Sequence, residues 1–96
     1  MKMTKEQARH ALDCLQQGER YPYDASDEWK DTNHDDDAPP AEDWAHGAAR
    51  GVVVDLKDRR GIKHGFDNVD EDVRREIVAS IRRIILLAHT STMGGE

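Results

Sequence analysis

A chain of 96 residues with 36% hydrophobic and 35% charged residues, a mean hydropathy of −0.89 and a formal charge of −6 has room for one small core and no second. No apolar run approaches bilayer-spanning length, which argues against an integral membrane protein, and the negative charge disfavours direct DNA binding. Cys14 is the single cysteine and the opening MKMTKEQARH lacks the apolar stretch of a secretion signal, so a reducing cytosol is the expected compartment.

The first periodic stretch, TKEQARHALDCLQQG, predicts a helix over about residues 4–17. Thr4 stands at the cap and Gln7 at the capping-box position. Ala8, Ala11, Leu12 and Leu15 form one stripe, and Gly18 reads as the stop signal.

Residues 19–39 show neither helical nor strand periodicity and predict a long acidic loop. Between residues 24 and 43 nine acids (Asp24, Asp27, Glu28, Asp31, Asp35, Asp36, Asp37, Glu42, Asp43) face Lys30 alone. This stretch therefore carries −8 and the rest of the chain +2, so the protein is a nearly neutral scaffold bearing one acidic segment. Tyr21, Tyr23 and Trp29 argue that the segment is pinned to a core.

A second helix is expected over about residues 40–60, with Pro40 and acids in its first turn, cations in its last and Gly61 beyond. Its buried face would be Trp44, Ala45, Ala48, Ala49, Val52, Val53 and Leu56. Gly47 and Gly51 each lower helix propensity by about 1 kcal/mol relative to alanine, which close approach of a neighbouring helix would offset. After a loop, GIKHGFDN, a third helix over about residues 69–89 carries Val69, Val73, Ile77, Ile81, Ile84 and Ala88 at spacings of four and three. Asp70, Glu71 and Asp72 sit at its favourable dipole end. Residues 84–88 are apolar all round, so this helix is expected to pack on a second copy of the chain or, alternatively, on the 19–39 segment. Residues 91–96 read as a frayed tail. The fold class is thus mainly α, a single-domain three-helix antiparallel bundle.

Three patterns carry possible chemistry. Asp31, Asn33, Asp35, Asp37 and Glu42 fall at positions 1, 3, 5, 7 and 12 of an EF-hand loop. Asp36 replaces its turn glycine, Pro39 and Pro40 remove backbone donors, and no helix is expected to lead into Asp31, so calcium is disfavoured. The basic run KDRRGIKHGF offers Arg59, Arg60, Lys63 and His64 to a phosphate and Phe66 to a base, against neutralisation by Asp67, Asp70 and Asp72. Arg59 and His64 also share the R-x4-H spacing of a ribonuclease family, interrupted by Gly61. Finally, His34, His46, His64 and Cys14 lack metal-ligand spacing, and Cys14 on an apolar stripe reads as a buried structural thiol. No cofactor is expected.

The blocks DWAHGAARGVVVDLKDRRGIKHGF and VDEDVRREIVASI, within residues 43–88, resemble small acidic proteins of bacteriophages and prophages. The resemblance implies no catalytic residue. It implies a protein that occupies a surface on a host or phage machine, as inhibitors of bacterial defence do. The leading expectation is therefore a non-enzymatic homo-oligomer that presents Asp27, Glu28, Trp29, Asp31, Asp35, Asp36 and Asp37 to a basic protein surface. A binder of a phosphate-bearing ligand and a structural assembly protein are the alternatives.

Overall fold

A computed structural model describes residues 2–32, 38–59 and 61–94. The described residues form helices α1 (Lys5–Arg20), α2 (Asp27–Thr32), α3 (Trp44–Lys57), α4 (Lys63–Asp67) and α5 (Glu71–Gly94). The three long helices lie near the expected places, while α2 and α4 occupy segments expected to be loops.

The capping box of α1 closes as the sequence predicts. The Gln7 amide donates to Thr4 Oγ1 at 3.0 Å and the Thr4 amide to Gln7 Oε1 at 2.9 Å. Gly18 does not end the helix, which continues to Arg20. Instead Gly18 lies against α3, where a Cβ would come within 2.9 Å of the Arg50 carbonyl carbon. Gly51 on α3 lies reciprocally under Leu15. The expected close approach thus occurs at Gly51 and is matched by a glycine on the partner helix. Because the backbones meet there, the buried residues of α1 are Cys14 and Gly18, and the stripe of Ala8, Ala11, Leu12 and Leu15 stays exposed.

Helix α3 starts at Trp44 rather than Pro40, because the Asp43 carboxylate caps it by accepting the His46 amide at 2.8 Å. It ends at Lys57, and Gly61 follows with φ +81°, the left-handed region that favours glycine. Packing against both α1 and α5 makes α3 the central helix. Ala45, Ala49 and Val53 of its expected face are buried, but Trp44 and Val52 are exposed and the polar His46 and Arg50 are buried in their stead. The reason is electrostatic. Arg50 donates to Asp24 Oδ1 and to the Pro39 carbonyl, both at 2.8 Å, and His46 Nε2 lies 2.7 Å from Asp24 Oδ2, so the chain around the acidic segment is tied to α3.

Tyr23, Ala49, Val53 and Val78 make the core, with Phe66, Val69, Ile77, Ile81 and Ile85 packed around it. The face of α5 that meets this core is displaced by about one residue from the expected stripe: Arg74 and Val78 are buried, while Val73 and Ile84 are exposed. Arg74 again explains the difference. Its guanidinium donates to the carbonyls of Tyr23, Ala25 and Val69 and to Asp27, stapling residues 23–27 onto the first half of α5. Residues 23–27 therefore lie over the start of this helix. Helix α5 runs on to Gly94, beyond the end expected near 89.

Candidate functional site

Ser26 nucleates α2: its hydroxyl accepts the Trp29 amide at 3.1 Å and its carbonyl the Lys30 amide. The helix is anchored below by Glu71, which accepts the Asp27 amide at 2.8 Å, and by the Asp27–Arg74 ion pair. Glu28 and Asp31 lie on its exposed surface, whereas Trp29 is half-buried with its indole nitrogen enclosed. Much of the Trp29 ring is therefore spent inside the fold.

Of the six described acids of the segment, three serve structure. Burial alone would raise the Asp24 carboxyl, but the hydrogen bond to His46 and the charge and hydrogen bond of Arg50 outweigh it and hold the group below the usual range. The His46 ring accepts the Glu42 amide at Nδ1, 2.9 Å, and so donates from Nε2 to Asp24. Asp27 pairs with Arg74. Asp43 caps α3 and pairs with Arg82, whose hydrogen bonds, aided by the His46 amide, bring its pKa down to about 2. Glu28, Asp31 and Glu42 remain at the exposed surface; Asp35, Asp36 and Asp37 lie outside the described residues.

The calcium pattern falls largely outside the described residues too, since Asn33, Asp35 and Asp37 belong to that gap. Contrary to expectation a short helix, α2, leads into Asp31 and ends at Thr32.

The basic run is partly neutralised, by Asp67 of the expected acids and by Asp55, which was not among them. Lys57 Nζ is 3.4 Å from Asp67, and Arg59 pairs with Asp55 one turn back at 2.8 Å. Lys63 and His64 are exposed on α4, and Arg60 is outside the described residues. Phe66 packs edge-on to Tyr23 at 5.7 Å, and its carbonyl accepts the Tyr23 hydroxyl at 2.7 Å, so the ring serves the core.

Two further features lie outside the acidic and basic segments. The second half of α5 leaves Ile84 64% and Leu87 68% exposed, on the same side of the helix as the exposed Val73. In addition, His10 and Cys14 lie one turn apart on α1 and meet Asp55 of α3. His10 Nε2 is 2.7 Å from Asp55 Oδ1 and 3.5 Å from Cys14 Sγ. Burial, followed by the charges of Asp55, Asp13 and Asp58, pushes the Cys14 thiol above its ordinary value. The hydrogen bonds from His10 and Arg59 lower Asp55. A nucleophile relay needs one ring nitrogen on the thiol and the other on the carboxylate, whereas here Nε2 meets both. The sequence signal was His-x3-Cys, a helical-turn spacing that places two donors on one face.

Among the described residues, no helix is long and apolar enough to cross a membrane. No protein-family model, no curated protein and no solved structure matches this chain.

Proposed function

We propose that the chain is a non-enzymatic interaction protein that self-associates through the outer face of α5 and presents its acidic segment to a basic protein partner. In this reading the three long helices form an antiparallel bundle whose outer α5 face receives the same face of a second copy. The observation that carries it is the exposure of Ile84 and Leu87 on the half of α5 that the 23–27 segment does not cover. A self-complementary apolar face is what a two-fold dimer requires, and burial of two such side chains per copy contributes about 3 kcal/mol or more on each side. The acid excess supports the second half of the reading. Asp24, Asp27 and Asp43 are engaged in ion pairs of the fold, yet Glu28 and Asp31 on α2 and Glu42 ahead of α3 stay exposed, where they would steer a cationic surface. The phage resemblance fits a partner in a bacterial cytosol, such as a component of a host defence machine.

Sedimentation velocity tests the self-association. The wild-type chain should sediment as a dimer or higher oligomer and the Ile84→Glu/Leu87→Glu variant as a folded monomer. A wild-type monomer across the micromolar range would defeat the proposal. For the acidic segment, asparagine at Asp35, Asp36 and Asp37 should weaken partner capture and flatten its salt dependence; an unchanged salt slope would remove that half of the reading.

A further inference from the structure

We propose that His10, Cys14 and Asp55 form a zinc-binding site, with Nε2, Sγ and Oδ1 as its three protein donors. The three atoms lie within 4.8 Å of one another. Nε2 faces both Sγ at 3.5 Å and Oδ1 at 2.7 Å, so one ring nitrogen stands between the other two donor atoms. A divalent ion among the three would take one lone pair from each, the Cys14 thiol releasing its proton to solvent as it binds. Tetrahedral zinc with its usual bond lengths sets sulfur and nitrogen about 3.6 Å apart, the separation already present. Nitrogen and oxygen would sit about 3.3 Å apart, so the hydrogen bond between them opens by about 0.6 Å, within reach of the exposed His10 ring.

The surroundings hold these donors in place. Cys14 is buried in the α1–α3 contact, and the Gly18 and Gly51 approach sets the spacing of the two helices. Arg59 donates from Nε to Asp55 Oδ2 at 2.9 Å, so the carboxylate is oriented by one oxygen and offers the other, an outer-shell arrangement common at metal centres. Asp13 and Asp58 line the adjoining cleft together with Lys57 and Lys63, and the two acids are near enough to act on the charge of Cys14. A groove of about 350 Å³ opens on the same three residues, leaving the fourth position to solvent or a small ligand. Thiolate, imidazole and carboxylate together select zinc over calcium or magnesium, which prefer oxygen donors.

Cobalt(II) titration of the full chain, followed by zinc displacement, tests the site. The expected result is one cobalt per chain, with a thiolate-to-cobalt charge-transfer band and the intense visible bands of a tetrahedral ion, all displaced by zinc and untouched by excess magnesium or calcium. Because Cys14 is the chain's single cysteine, such a band identifies its sulfur. Zinc should also protect the Cys14 thiol from alkylation. His10→Gln, at an exposed helical position where folding is checked by circular dichroism, should weaken cobalt binding at least tenfold, as should Asp55→Asn. Absence of the band, one metal per two chains, or unchanged affinity in His10→Gln would each overturn the three-donor site.

Discussion

Replacing Gly18 by alanine sets two opposed effects against each other. In a helix, alanine is favoured over glycine by about 0.8 to 1 kcal/mol, less near an end, and Gly18 lies in the last turn of α1. Against that gain, the new Cβ would stand 2.9 Å from the Arg50 carbonyl carbon and 3.0 Å from the Gly51 nitrogen. These are backbone atoms of α3, and Arg50 is fixed by Asp24 and the Pro39 carbonyl, so the helices themselves must separate. Overpacking of that kind costs about 1 to 3 kcal/mol, leaving a net loss of about 1 kcal/mol. Gly47→Ala is the internal control, because its Cβ meets nothing nearer than Ala41 at 3.8 Å and should stabilise by about 0.5 to 1 kcal/mol. Gly51→Ala falls between: its nearest obstacle at 2.9 Å is the movable end of the exposed Leu15 side chain. Urea unfolding followed by circular dichroism should therefore rank Gly47→Ala above wild type, Gly51→Ala near it and Gly18→Ala below. The extremes should differ by about 2 kcal/mol, or about 10 °C in melting temperature. Equal stabilisation by Gly18→Ala and Gly47→Ala would refute the close-approach argument.

Arg74→Met should lower stability by about 2 to 4 kcal/mol, because buried carbonyls of the 23–27 segment lose their donor. Asp27→Ala, which removes a mostly exposed ion-pair partner, should cost under about 1 kcal/mol; equal losses in the two variants would contradict the staple. Tyr23→Phe removes only the hydroxyl donated to the Phe66 carbonyl and should cost about 1 kcal/mol by the same unfolding assay. Acid should weaken the fold in a defined window. Asp43 titrates at about 2 in the folded chain against an ordinary 3.8, so its stabilisation is complete above about pH 4 and is lost as the pH falls toward 2. Asp43→Asn keeps the cap but removes this titration, and its stability should fall less steeply between those pH values; an unchanged slope would show that the Arg82 pair contributes nothing.

The capping box at Thr4 and Gln7, the three long helices and the need for a close approach at Gly51 were all legible in the sequence. Each depends on residues within a turn or two of one another, or on the absence of a side chain. The short helix α2 was equally local, signalled by Ser26 ahead of Asp27 and Glu28, but was hidden by its position in a run that reads as an acidic loop. Which faces are buried was settled by tertiary structure. A periodic count of apolar residues places Trp44, Val73 and Ile84 inside, whereas the fold admits Arg50, Arg74 and His46, because Tyr23, Ala25 and Pro39 bring carbonyls and Asp24 a carboxylate that need donors. The same holds for the charges. Composition alone assigns −8 to one segment, but only the packing of α3 and α5 decides that Asp24, Asp27 and Asp43 hold the fold while Glu28 and Asp31 face outward. Cys14 shows the limit most clearly. Its burial on an amphipathic helix follows from local pattern, yet its meeting with Asp55, 41 positions further along, depends on how nearly two glycines let α1 approach α3.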